Sequence, residues 1–202
     1  MSDFHPYEPF IPDDATKLII GSIPPHRFCK DVNNQIFGEV QNDDVRFYYG
    51  SNVNSFWPII GNIYNIQFDF QNTELAIQQR ISFLQDINIG ITDIIASCDR
   101  NNNGAQDSDL FNITYKNIRD LLINNPQINT LIYTSDFIKI CVNNIFNTYH
   151  RSTQYGNRRK TVTINNTDYD VWILYSPSRN ALRNMGENGN NRRKNQYKKV
   201  FG

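Results

Sequence analysis

The sequence predicts an α/β fold, a three-layer α/β/α arrangement around a central four-stranded parallel sheet. Short apolar runs of strand length alternate along the chain with longer segments of helical period. The runs are apolar at successive positions, as strands covered by helices on both faces must be. With 202 residues, 39% hydrophobic and 20% charged, the chain suits one compact domain spanning residues 1–202.

The strands are expected at residues 17–21, 89–95, 130–134 and 170–175. Residues 55–65 place Phe56, Ile59, Ile60 and Ile63 on one helical face, and residues 73–86 are rich in helix formers. Residues 110–124 repeat apolar side chains at Phe111, Tyr115, Ile118, Leu121 and Leu122 and predict a third helix. A fourth follows the third strand, with Ser135 as N-cap and Phe137, Ile138, Cys141 and Ile145 facing inward. Residues 148–166 are polar and predict a loop or hairpin, and residues 184–191 predict a flexible loop before a short C-terminal helix. No internal repeat and no interdomain linker stands out.

Composition narrows the function classes. No apolar run reaches the ~18 residues a spanning helix needs, and Met1 to Pro6 carries neither a basic nor an apolar leader segment. A monomeric cytoplasmic protein without a membrane partner is therefore expected. Cys29, Cys98 and Cys141 are odd in number and widely spaced, which speaks against a disulfide framework, a structural zinc or an iron-sulfur cluster. No metal and no cofactor is expected.

The net charge of zero conceals an asymmetry. From His150 onward, eleven Lys and Arg face three Asp and Glu, a local charge of +8 balanced by −8 in the remainder. Arg192, Arg193, Lys194, Lys198 and Lys199 have the charge to neutralise phosphates, although a solvated basic helix accounts for them as well. The abundance of dispersed Asn and Ile reads as codon bias in an AT-rich genome.

Ligands of open α/β sheets bind beyond the C-terminal strand ends. After the first strand comes Gly21-Ser22-Ile23-Pro24-Pro25-His26, and after the fourth comes Ser176-Pro177-Ser178-Arg179-Asn180-Ala181-Leu182. Both are small-residue turns suited to one shared crevice, and both are also turns of the kind that simply stop strands. Together with Tyr48-Tyr49-Gly50, Asn54-Ser55-Phe56-Trp57, and the stretch from Gly90 through Arg100 to Asp107-Ser108, they resemble the uracil-DNA glycosylase superfamily. The likeness is closest to hypoxanthine-DNA glycosylases and mismatch-specific uracil-DNA glycosylases, and it spans most of the chain.

The resemblance implies a monofunctional DNA glycosylase of base excision repair, acting on DNA that contains a damaged or mismatched base. Such an enzyme removes a deaminated base, uracil or hypoxanthine, by hydrolysing the N-glycosidic bond after rotating the nucleotide out of the stack. It implies Gly21, Ser22, Ile23, Tyr49 and Gly50 as base-binding residues, with Tyr49 as the stacking aromatic. Ile23 stands where uracil-specific members often carry a water-activating Asp or Asn, so that duty passes by resemblance to Asn54. Ser176 replaces a His that stabilises the departing base, and Pro25 replaces a Gly. Asn54 and Ser176 are thus the catalytic candidates, with His26 as a substitute donor. Pro177 and Ser178 are implied to contact DNA, and the loop Arg179-Asn180-Ala181-Leu182 after them to enter the gap left by the extruded nucleotide, with Arg179 as the plug or Leu182 as an apolar wedge, flanked by Arg183, Arg192 and Arg193 on phosphates. From the residues alone, Tyr49 also reads as core, Asn54 as a helix cap and Arg179 as a surface charge. The alternatives are a catalytically silent nucleic-acid-binding paralogue and a nucleoside or nucleotide hydrolase; the basic C-terminus argues against the hydrolase.

Overall fold

The computed structural model describes residues 1–39, 41–101, 106–154 and 156–202. The chain opens with the short strand β1 (Asp3–Phe4) and reaches the first central strand, β2 (Lys17–Gly21). Helices α1 (Phe56–Tyr64) and α2 (Glu74–Asp86) follow. Thr73 caps α2 by accepting the Ala76 backbone N–H at 3.2 Å. Next come β3 (Ile89–Asp93), β4 (Ile95–Arg100), β5 (Leu110–Tyr115) and α3 (Ile118–Ile123). The chain continues through β6 (Thr130–Tyr133), α4 (Asp136–Phe146), β7 (Arg151–Thr153), β8 (Gly156–Ile164) and β9 (Thr167–Ile173), and ends in α5 (Gly189–Phe201).

The main sheet has the order β3-β2-β6-β9-β8-β7. The four expected strands are its parallel part. The sheet nevertheless has six strands rather than four, because the polar residues 148–166 supply β7 and β8, which pair antiparallel beyond β9. Leu18 and Ile20 of β2 face one layer and Ile19 the other, as the two-residue period of a strand requires. On one side, α1, α2 and α5 contribute Phe56, Trp57, Phe83, Tyr197 and Phe201 to the core. On the other, α3 and α4 contribute Ile118, Leu122, Ile138 and Val142. The layers are therefore α/β/α.

Three elements differ from expectation. The run 89–95 is not one strand: the chain leaves the sheet after Asp93, and Ile95 begins β4, which joins β1 and β5 in a separate antiparallel sheet. Residues 110–124 are not one helix. Residues 110–115 form β5, with the outward-facing Phe111 43% exposed, and helix starts only where the Asn117 side chain accepts the Asp120 backbone N–H at 3.1 Å. The C-terminal helix begins earlier than expected, inside 184–191, because Arg193, Gln196, Tyr197, Val200 and Phe201 are all buried on one helical face.

Asparagine has a structural use here besides any codon bias. Asn34, Asn65, Asn88, Asn112, Asn147, Asn165 and Asn166 adopt positive φ, a conformation otherwise typical of glycine. The remaining non-glycine residue of this kind among those described is Tyr49.

Among the described residues no helix is long and apolar enough to cross a membrane. The three cysteines are buried and free.

Candidate active site

The parallel register sets the C-terminal ends of the central strands level, pairing Gly21 with Asp93, Ile20 with Tyr133 and Tyr133 with Ile173. The residues beyond these strand ends line one cleft of about 1010 Å³: Ser22 and Ile23 directly after β2, Thr134 and Ser135 directly after β6, and Ser176 three residues after β9, while Asp93 closes β3 itself. Both turns singled out in the sequence thus border the same cavity.

The first turn is held from behind. Backbone bonds from Ile94 to the Gly21 carbonyl and from Ile95 to the Ser22 carbonyl, at 2.8 and 3.1 Å, tie it to the start of β4. The buried Arg100 guanidinium donates to the Pro24 carbonyl at 2.6 Å and to the Asp3 carboxylate at 2.5 Å. His26 is drawn into this anchor, bonded to Asp3 at 2.7 Å and stacked on Phe37. It does not line the cleft, so it is not placed to serve as the substitute donor.

The loop carrying Tyr49 is pinned by a forked pair between Arg27 and Asp44, with both bonds at 2.9 Å. Burial opposes the Asp44 charge, but the Arg27 guanidinium and the backbone N–H groups of Asn52 and Gln41 outweigh it and hold this carboxyl below its usual range. Tyr49 adopts φ 56°, a strained backbone for a bulky side chain. In this conformation its ring stacks on Phe56 (centroids 4.5 Å apart, planes at 22°) and its hydroxyl meets the Thr134 hydroxyl at 3.0 Å. Gly50 lines the cleft, and its Cα faces the Val45 carbonyl so closely that no side chain fits. Gly21 lies behind the cleft wall: any Cβ there would collide with the Asp93 carboxylate and the Tyr49 hydroxyl. Gly21 itself does not line the cleft; what it provides is the space those two groups occupy.

The second turn is cross-linked to two helices. Ser55 at the start of α1 donates its backbone N–H to the Pro177 carbonyl at 3.0 Å. Arg193 of α5 is 1% exposed. It donates to the Ser176 and Ser178 carbonyls at 3.1 and 3.2 Å and to the Ser55 hydroxyl at 3.1 Å. Arg193 therefore braces the turn from the core and is not available to a phosphate, which corrects its sequence-based assignment. Its inward position follows from the spacing 193, 196, 197, 200 and 201, a helical period readable in the sequence. Arg192, one residue earlier, is exposed and donates to the Met185 carbonyl outside the cleft.

Asn54 lines the cleft, and its side-chain oxygen accepts the Phe56 backbone N–H at 2.9 Å. Ser176 accepts the Ser178 backbone N–H at 3.2 Å, which leaves its hydroxyl proton free to be donated. Pro177, Ser178, Arg179, Asn180, Leu182 and Arg183 complete this wall, with Arg179, Asn180 and Arg183 exposed.

Two carboxylates in the cleft had no role in the sequence reading. Asp93 is 5% exposed and accepts from His5 Nε2 at 2.9 Å. His5 Nδ1 lies 2.9 Å from the Tyr7 carbonyl and 3.1 Å from both the Tyr7 backbone nitrogen and the Lys116 ammonium; because a carboxylate only accepts, Nε2 carries a proton toward Asp93. Asp107 borders Ser22 and Ser135. Asp93 fell inside the expected strand 89–95, so its place at a strand end emerged only with the structure; nothing local pointed to either partner, His5 or Ser135.

No protein-family model matches the chain, and no curated protein sequence matches it. Among solved structures, the solution NMR structure of a putative uracil DNA glycosylase from Methanosarcina acetivorans superimposes with a TM-score of 0.61 at 18% identity, covering 100% of this chain and 97% of that one. The two share a fold.

Proposed function

We propose that this protein is a monofunctional DNA glycosylase that hydrolyses the N-glycosidic bond of a deaminated base, uracil or hypoxanthine, without a cofactor. One observation carries the reading: the turns after β2 and β9 line a single cleft with Tyr49 and Asn54, in a chain that shares its fold with the Methanosarcina protein. Tyr49, covered on one face by Phe56, offers its ring to an extruded base. Ser22 and Gly50 border the base, and Ile23 supplies an apolar wall. The Ser176 hydroxyl donates to the base as negative charge develops on it. Arg179 or Leu182 enters the gap in the stack, and the exposed Arg183 and Arg192 meet phosphates.

A silent DNA-binding paralogue is the second reading. It is favoured by Ile23 and by the engagement of the Asn54 oxygen with α1. Oligonucleotides containing uracil, hypoxanthine, xanthine or a thymine mismatch separate the possibilities. Release of uracil or hypoxanthine, leaving an uncleaved abasic strand, is the expected result. Binding without release would establish the paralogue, and neither binding nor release would favour the nucleoside hydrolase.

A further inference from the structure

Hydrolysis of a glycosidic bond needs an acceptor for the proton of the attacking water, and the expected positions do not supply one. Ile23 has no polar atom. The Asn54 oxygen already serves the Phe56 N–H, so what Asn54 can add is its amide donor. We infer that Asp107 is the catalytic carboxylate of this cleft, which it lines together with Asn54, and that it accepts the proton of the attacking water; this deepens the glycosylase reading and rests on it.

Asp107 opens the one-turn segment Asp107–Asp109, which is braced at its start by the Gln106 N–H bonded to the Asp109 carboxylate at 3.3 Å. Its side chain lines the cleft. Ser135, which follows β6, donates its hydroxyl to Asp107 Oδ2 at 3.4 Å, and the Ser22 hydroxyl is the second partner. Ser22 directly precedes Ile23. The fold thereby delivers a carboxylate from a distant segment to the turn whose own side chain is inert.

The other cleft carboxylate is differently employed. Asp93 is bonded to the His5 ring N–H, whereas Asp107 makes no ion pair among the described residues and is held by hydroxyls. Burial raises the Asp107 carboxyl above its usual range; Asp93 adds to the rise, while Ser22, Ser135 and the more distant Arg100 oppose it. The buried Cys141 thiol also feels the Asp107 charge. A raised carboxylate is a better proton acceptor near neutral pH.

In the step, the C1′–N bond breaks and its electron pair leaves with the base. A water oxygen forms the new bond to C1′, and one water proton passes to Asp107. That proton then returns to solvent or to the departing base. Before transfer, the ionised carboxylate also stabilises the positive charge developing on the sugar.

Single-turnover base release from uracil- and hypoxanthine-containing oligonucleotides, measured from acid to neutral pH, tests the assignment. Wild type should lose activity as pH falls through a value above the ordinary carboxylate range. Asp107→Asn should lower release by about 100-fold or more and abolish that acid limb, with oligonucleotide binding retained and thermal stability equal or higher, because a buried charge is removed. Asp107→Glu keeps the carboxylate, so it should release base faster than Asp107→Asn with a displaced acid limb; it also decides the matter if Asp107→Asn does not fold. Near-normal release by folded Asp107→Asn, or an unchanged acid limb in either variant, overturns the assignment and leaves the glycosylase reading intact. Failure of wild type to release any base overturns both.

Discussion

The side-chain oxygen of Asn54 accepts the backbone N–H of Phe56 at 2.9 Å. The first N–H groups of a helix lack intrahelical acceptors, so this bond anchors the start of α1. The two readings of Asn54, cap and chemistry, fall on opposite ends of one carboxamide: the oxygen serves the helix and the amide nitrogen remains for the cleft.

Two substitutions separate those ends. Asn54→Ala removes both and should cost about 1 kcal/mol of stability along with about 100-fold in base release. Asn54→Asp keeps an acceptor for Phe56 and loses the donor, so stability should hold within about 0.5 kcal/mol while release still falls. Melting curves and single-turnover rates on the same samples check this; full activity in Asn54→Asp would take the amide out of the chemistry.

Neighbouring arginines on α5 should respond in opposite ways. Arg193→Met strands the Ser176 and Ser178 carbonyls and should destabilise the fold by about 2–3 kcal/mol while slowing turnover through the loosened second turn. Arg192→Ala with Lys194→Ala removes two exposed charges and the exposed Arg192 bond to the Met185 carbonyl; stability should stay within about 1 kcal/mol, and the salt dependence of oligonucleotide binding should flatten by about one unit of slope for each phosphate no longer neutralised. Denaturant midpoints and binding titrations at several salt concentrations distinguish the two outcomes.

Gly21→Ala tests whether the glycine exists to admit Tyr49 and Asp93. An added methyl would overlap the Asp93 carboxylate and the Tyr49 hydroxyl, and overpacking of this kind costs about 1–3 kcal/mol. Chemical denaturation should show that loss, together with slower base release as Tyr49 is displaced. A variant of unchanged stability and rate would mean that the wall gives way freely.

The Arg27 and Asp44 pair should make stability depend on acid. The folded-state pKa of Asp44 is lowered, so the unfolded chain binds that proton more tightly. The pair's contribution is present above the ordinary carboxylate range and is lost as pH falls through the folded value. Arg27→Met should therefore be less stable than wild type at neutral pH, with the gap narrowing on acidification. Denaturant midpoints across the acid range check the sign; a constant gap would contradict it.

Local pattern was enough for much of this chain. The period of α1 and α4, the helix formers of α2 and the doubly apolar runs of β2, β3, β6 and β9 are written in neighbouring residues, because burying one helical face or both faces of a strand constrains side chains a few positions apart. The two cleft turns were legible for the same reason, each following an expected strand directly. Other features depended on partners remote in sequence. Residues 110–115 became a strand because β4 offered a ladder for their backbone groups; the hairpin expected at 148–166 did form, as β7 and β8, but that it extends the main sheet was decided by the free edge of β9. The inward turn of Arg193 follows the local period of α5, but the three oxygen atoms it meets come from two other segments that only the fold brings together. Asp107 met Ser135 across 28 positions and His5 met Asp93 across 88. Charge and hydrogen bonding act through space, so only the assembled strands and loops decided which of the chain's polar groups face one another in the cleft.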